Sequence, residues 1–154
     1  MQDNLLKDTL SSAKTIAMVG VSSVKKEISS NIKRRPSIIV MKYMQDFGYK
    51  VIPVNPFSEG QEVNGEKIVA NLEDIKTPVD IVDVFRPSEE TPSIAEQAVK
   101  INAKVLWLQY GIQNKAAEDI TKAAKMIYIA NKCIKQEYQR LFLKVNPVFP
   151  ALKN

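Results

Sequence analysis

The chain has 154 residues, 45% hydrophobic and 25% charged, which fits one folded domain over residues 1–154 better than a disordered chain. It contains no histidine and one cysteine, so it excludes a Ser-His-Asp or Cys-His nucleophile, and we expect no metal site. The net charge of +5 suits an anionic ligand, but the basic residues are spread along the chain, so we expect no nucleic-acid partner.

The sequence also bears on location. The amino-terminal residues lack the basic start and apolar run of a signal peptide, and no apolar run is long enough to span a membrane. The single cysteine, Cys133, cannot form a disulfide within the chain. We therefore expect a cytoplasmic protein without a membrane partner, and no feature of the sequence identifies a protein partner.

Four short β-rich runs and one weaker run recur at fairly even spacing. Each is apolar at nearly every position, which is typical of strands buried on both faces of a parallel sheet. The predicted strands are Thr15–Gly20, Lys50–Val54, Asp80–Phe85, Lys104–Leu108 and Met126–Ala130.

Helical spacing of apolar residues predicts a helix before the first strand and after most of the others. The predicted helices are Asn4–Ser12, Ser37–Phe47, Pro92–Ile101, Lys115–Ala124 and Ile134–Phe142. This alternation predicts an α/β fold, a single doubly wound Rossmann-like domain with a five-stranded parallel sheet and helices on both faces. We expect the core to span residues 15–142 and the tail, residues 146–154, to be loosely held.

Ligands of open α/β sheets bind beyond the carboxyl ends of the strands, so the residues that follow each strand are the candidates. Gly20 follows the first strand, where a glycine lets backbone amides approach a ligand and Ser22 and Ser23 add donors. The dinucleotide pattern Gly-x-Gly-x-x-Gly is absent. Taken alone, Gly20 is better explained by a tight turn between strand and helix.

The connection over residues 21–36 is long and carries several cations, including Arg34 and Arg35. A cradle for phosphates ahead of a helix and a solvated surface loop explain this pattern about equally well. After the second strand, Asn55 stands between prolines and can bond within its own turn. A NAD-binding domain commonly has an acidic residue near this point, so Asn55 argues against NAD.

Polar or basic groups also follow the remaining strands. Arg86 follows the third strand, where it either meets a phosphate or stays solvated. Asp80 and Asp83, at that strand, are interpreted as structural because their spacing separates them. The convergence of polar and basic groups on one edge is a stronger indication of a ligand site than any single residue.

Several segments resemble, in order, those of the CoA-binding domain family, a Rossmann-like module also found at the amino terminus of the succinyl-CoA synthetase alpha subunit. These segments are Thr15–Ser22, Arg35–Ser37 with Val40 and Tyr43, Gly48–Pro56, Val79–Arg86, Ala103–Ile112 and Cys133–Leu141. The resemblance implies binding of coenzyme A or an acyl-CoA through its phosphates and adenine, by a non-catalytic carrier, sensor or regulatory module. With the pattern above, it gives as candidate binding residues Gly20, Val21, Ser22, Ser23, Arg34, Arg35, Pro36, Ser37, Pro53, Asn55, Pro56, Phe85 and Arg86.

The closing motif departs from the family pattern. Tyr138 stands where relatives have a histidine, and Asn131-Lys132 replaces an Asp-Arg pair. Two alternatives therefore stay open: a nucleotide-dependent enzyme, either an NAD(P) oxidoreductase or an acyl-CoA ligase component, and an interaction module that has lost the ligand. A ligase would need further domains, one of them with a phosphorylated histidine.

Overall fold

The computed structural model describes residues 2–21 and 36–143, and its centre is a five-stranded parallel sheet. In chain order the strands are β1 (Thr15–Val19), β2 (Lys50–Val54), β3 (Glu62–Val63), β4 (Glu66–Lys67), β5 (Ile81–Val84), β6 (Val105–Leu108) and β7 (Ile127–Ile129). The large sheet has the order β2-β1-β5-β6-β7, and β3 and β4 form a separate antiparallel pair. The α/β fold class with five parallel strands is thus confirmed.

Five α-helices accompany the strands: α1 (Gln2–Ser12), α2 (Pro36–Asp46), α3 (Thr91–Lys100), α4 (Lys115–Ala123) and α5 (Ile134–Tyr138). A wider helical turn continues α5 over Gln139–Leu143. Apolar residues of α1, α2 and α5 pack in one core cluster, and those of α3 and α4 pack in another. The helices therefore cover both faces of the sheet, as predicted. No helix within the described ranges is long and apolar enough to cross a bilayer.

The alternation of side chains along each strand explains why the strands look apolar throughout. In β1, Ile16 and Met18 join the cluster under α1, α2 and α5, while Ala17 and Val19 join the cluster under α3 and α4. All four are at most 8% exposed. Because successive side chains of a strand point to opposite faces, burial on both faces leaves no solvent-facing position among these four residues.

The ends of the elements differ from the prediction at a few points. The third predicted strand begins one residue later, at Ile81. The Asp80 carboxylate, just before it, accepts the backbone N–H groups of Lys14 and Thr15 at 2.8 and 3.0 Å. The pair β3–β4 was not predicted, since two residues per strand are too few to show periodicity.

Two side chains, Trp107 of β6 and Gln109 just after that strand, attach the closing segment to the sheet. The indole Nε1 of Trp107, which is fully buried, donates to the Lys132 carbonyl oxygen at 2.8 Å. The Gln109 amide oxygen accepts the N–H of Ile134 at 3.2 Å. Tyr138 packs against Phe47 and Phe142, with ring centroids 4.9 and 4.8 Å apart. The residue that departs from the family pattern therefore has a packing role.

Candidate ligand-binding site

A pocket of about 270 Å³ opens at the carboxyl ends of β1, β2 and β5. Strand order reverses there, because β1 is flanked by β2 on one side and by β5 on the other. Open α/β sheets bind ligands at such a switch point. The apolar lining comes from Val19, Val54, Leu72 and Ile94, and the polar lining from Asn55, Asn71, Arg86, Glu90, Ser93 and Gln97.

Gly20 brings the end of β1 against the end of β5. Its φ is +106°, and a Cβ atom built on it would lie 3.0 Å from the Phe85 carbonyl oxygen and 3.1 Å from Arg86 Cδ. Both the conformation and the space therefore require glycine. The Gly20 N–H donates to the Val54 carbonyl oxygen at 2.8 Å, so it serves the junction of β1 with β2.

Asn55 shapes the wall of the pocket beyond β2. Its amide oxygen accepts the N–H of Phe57 at 2.9 Å and caps the short turn Pro56–Ser58, the local bond predicted from the sequence. The Asn55 N–H donates to the Val69 carbonyl oxygen at 2.9 Å. This turn presents the Phe57 ring at the pocket, 77% exposed.

Arg86 and Glu90 form a two-point ion pair at the pocket. Arg86 Nε and Nη2 donate to the two carboxylate oxygens of Glu90 at 2.9 and 2.8 Å. The hydrogen bonds from Arg86 to Glu90 lower the pKa of Glu90 and raise the pKa of Arg86. Arg86 was predicted to meet a phosphate or remain solvated; the structure gives it a carboxylate partner.

Four pocket residues that sequence reasoning missed lie in α3 and the turn before it. Glu90, Ser93, Ile94 and Gln97 all line the pocket, and their spacing places them on a single helical face. Asn71 joins them from the segment between β4 and β5. Polar residues at helical spacing directly after a strand end are the signal that would have found the residues of α3.

The thirteen predicted site residues are distributed unevenly. Gly20, Asn55, Pro56 and Arg86 line the pocket. Val21 is fully buried in the cluster under α1, α2 and α5, and Phe85 packs against the same cluster, away from the pocket. Pro53 is buried within β2, Ser37 is buried in the first turn of α2, and Pro36 is exposed at its start. The remaining four, Ser22, Ser23, Arg34 and Arg35, lie outside the described residues.

Asp83 is the one carboxyl group of the described strands that is fully buried. It lies between Met18 and Trp107 in the sheet, and among the described residues neither of its oxygens has a hydrogen-bond partner. Burial raises the pKa of Asp83 well above its ordinary range. Asp83 does not line the pocket. Its interpretation as a structural residue stays a prediction.

The sequence profile of the CoA binding domain matches residues 14–139. The chain belongs to the CoA-binding domain family. This confirms the resemblance noted in the sequence, and the match covers every element that forms the pocket.

Individual proteins are similar to this chain over most of its length. The YneT protein of Bacillus subtilis is 40% identical over 130 residues, which cover 84% of this chain and 89% of that protein. The structure of cell-free ID.343 from Thermus thermophilus is 38% identical with a TM-score of 0.82, covering 92% of this chain and 100% of the other. A protein from Pyrococcus horikoshii is 38% identical with a TM-score of 0.81, covering 92% of each chain.

The fold also occurs within larger proteins. A dinucleotide-forming acetyl-coenzyme A synthetase of Ca. Korarchaeum cryptofilum has a TM-score of 0.59 and 22% identity, covering 77% of this chain and 26% of that one. At this identity the likeness concerns the fold alone.

Proposed function

We propose that this protein binds coenzyme A or an acyl-CoA at the carboxyl edge of its sheet and acts in the cytoplasm as a carrier, sensor or regulator, not as an enzyme. The observation that carries the proposal is the pocket at the switch point between β2, β1 and β5 in a chain of the CoA-binding domain family. Small-molecule sites are mostly apolar with a few placed polar groups, and this pocket has that character.

The pocket fits the adenosine end of the ligand best. Its volume of about 270 Å³ is near the lower limit of small-molecule pockets, roughly 300 Å³, so it holds part of a coenzyme A molecule. Apolar side chains from β1, β2 and α3 suit the faces of a purine, and the exposed Phe57 ring offers a stacking surface. Asn71, Ser93 and Gln97 supply donors and acceptors for the base and ribose.

The phosphates need cations, and among the described lining residues of the pocket the cation Arg86 is already paired with Glu90. The segment between Val21 and Pro36 carries Ser22, Ser23, Arg34 and Arg35, which supply hydroxyls and two guanidinium groups. The segment leads into α2, whose first turn lies at the carboxyl edge because the helix ends just before β2 begins. A helix amino terminus favours phosphate, so this segment is our proposed pyrophosphate site.

The absence of catalysis is supported by the ionisable groups available. The chain has no histidine, the commonest general base. Within the described part of the pocket the acid is Glu90, whose pKa is lowered by its hydrogen bond with Arg86. A carboxylate with a lowered pKa is a weak base near neutral pH. The proposed role is therefore binding.

Calorimetric titration at low salt tests the proposal, with coenzyme A, acetyl-CoA, NAD and NADP as separate ligands. We expect heat of binding with the first two. Replacing Arg34 and Arg35 with Ala is expected to weaken coenzyme A binding about tenfold or more, because charge-assisted bonds to phosphate are lost. The matched control replaces Lys14 and Lys104 with Ala. It removes the same charge at the opposite edge of the sheet, and we expect it to leave affinity unchanged.

Two results would contradict the proposal. Binding of NADP without binding of coenzyme A would favour an oxidoreductase. No binding of any of the four ligands to folded protein would favour an interaction module that has lost its ligand.

A further inference from the structure

We propose that Glu90 is a specificity-determining residue: by pairing with Arg86 it keeps the described lining of the pocket electrically neutral, so a 3′-phosphate on the ligand's ribose gains no net attraction from that lining. The inference rests on the proposed function and deepens it. It assigns the pocket to adenosine derivatives whose essential phosphates lie on the 5′ side, and it predicts little distinction between coenzyme A and its 3′-dephospho form.

The ion pair is held from both ends. Arg86 lies two residues beyond the end of β5, and its Cδ lies where a Cβ on Gly20 would be only 3.1 Å away. Glu90 ends the turn Ser88–Glu90, in which its N–H donates to the Pro87 carbonyl oxygen at 2.9 Å. The Thr91 hydroxyl donates to the Ser88 carbonyl oxygen at 2.7 Å and fixes the same turn. Glu90 therefore lies in a hydrogen-bonded turn, and Arg86 lies against Gly20.

The pairing uses the part of the guanidinium that best recognises an anion. Nε and Nη2 form the two-point fork that matches a carboxylate or a phosphate, and Glu90 occupies both points at 2.9 and 2.8 Å. A ribose phosphate that approached Arg86 would have to displace Glu90 or accept its repulsion. Ribose hydroxyls have no such conflict, because they can donate to the Glu90 carboxylate.

The net charge of the described pocket lining also favours a ligand without a 3′-phosphate. Among its described lining residues the charged ones are Arg86 and Glu90, which sum to zero. Asn55, Asn71, Ser93 and Gln97 complete the polar lining and carry no charge. The described lining thus leaves no cation unpaired for a phosphate, whereas the neutral hydroxyls of a ribose need none.

The test measures the dissociation constants of coenzyme A and 3′-dephospho-CoA by calorimetry for the wild type, Glu90→Gln and Arg86→Gln. For the wild type we expect the two constants to agree within about threefold. Glu90→Gln frees the fork of Arg86, so we expect the ratio to shift about tenfold in favour of coenzyme A. Arg86→Gln leaves Glu90 unpaired, and we expect a shift in favour of the dephospho form.

The matched control is Asp46→Asn, which breaks another exposed i,i+4 pair, Lys42–Asp46 at 2.8 Å, at the far end of α2. We expect it to leave the ratio unchanged. Melting temperatures of all variants confirm folding, and Glu90 is exposed enough for its replacement to be tolerated.

Two results would overturn the inference while leaving the proposed function intact. One is a ratio for Glu90→Gln within twofold of the wild type. The other is a wild type that prefers coenzyme A more than tenfold and loses this preference on Glu90→Gln, which would show that Glu90 orients Arg86 toward the phosphate. Failure of both ligands to bind the wild type would overturn the proposed function and this inference together.

Discussion

Gly20 touches the end of β5 so closely that a Cβ atom on it would lie 3.0 Å from the carbonyl oxygen of Phe85. We predict that Gly20→Ala lowers the free energy of unfolding by about 2 kcal/mol or more, because a strained φ and a backbone clash act together. Gly48→Ala is the matched control, since Gly48 has a φ of +99° and a Cβ there would meet nothing within 4 Å. Urea unfolding of both variants isolates the contact; equal losses would show that the contact with Phe85 has no energetic weight.

The buried Asp83 predicts a pH dependence of stability. Its folded pKa is raised above the unfolded value of about 3.9, so the folded state holds a proton that the unfolded state releases. Stability is therefore greatest below that value and falls as pH rises, by at most about 1.4 kcal/mol per pH unit from this group. We predict that Asp83→Asn removes this fall, so the variant gains on the wild type as pH increases. Urea unfolding between pH 4 and pH 8 measures the effect, and a difference independent of pH would contradict it.

Asp80 provides the opposite case three residues earlier. Burial raises its pKa, but the N–H groups of Lys14 and Thr15 and the Lys104 ammonium outweigh burial and lower it. Stability from this group is present above the unfolded pKa and is lost as pH falls through the folded pKa. Asp80→Asn is therefore expected to destabilise the protein near neutral pH and to lose this effect in acid. The same unfolding series tests it, and a loss that persists in acid would assign the effect to packing.

The turn cap at Asn55 can be separated from ligand binding. Asn55→Ala removes the acceptor for the Phe57 N–H, and we predict a loss of about 1 kcal/mol in the free energy of unfolding. Asn55→Asp keeps an acceptor at the same atom, so it should retain most of the stability. Its added negative charge at the pocket should still weaken binding of coenzyme A. Chemical unfolding and calorimetry on both variants check this. If the Ala and Asp variants were equally stable, the hydrogen bond that caps the turn would not contribute to stability.

Phe57 is predicted to stack on the adenine. Phe57→Ala should weaken binding of coenzyme A and ADP about tenfold, since stacking of a base on an aromatic ring contributes roughly 1–3 kcal/mol, and stability should hardly change. Tyr110→Ala is the matched control, because Tyr110 is 76% exposed, like Phe57 at 77%, and does not line the pocket. Equal effects of the two substitutions on affinity would place the adenine elsewhere.

The sheet was predictable because its chemistry is local. Five short apolar runs without alternation indicate buried parallel strands, and both ends of β1, β2, β5, β6 and β7 agree with the prediction to within one residue. The end of the last helix was not predictable: Tyr138, Leu141 and Phe142 continue the apolar pattern, but the backbone widens after Tyr138. Side-chain periodicity does not distinguish that wider turn from an α-helix.

The site was only partly predictable because it is assembled from separate segments. Gly20, Asn55 and Arg86 follow strands, and a general rule for open sheets identifies such positions. Asn71 comes from a connection with no regular pattern, and its approach to α3 depends on tertiary packing. The orientation of Phe85 was knowable from strand alternation, which turns it to the face opposite Arg86.

The hydrogen bond from Trp107 to the Lys132 carbonyl has a practical consequence. This indole is the single tryptophan of the chain, and it lies in the core layer under α1, α2 and α5, on the other side of the sheet from the apolar wall of the pocket. Its fluorescence emission is therefore expected to report whether the last strand and helix remain docked on the sheet.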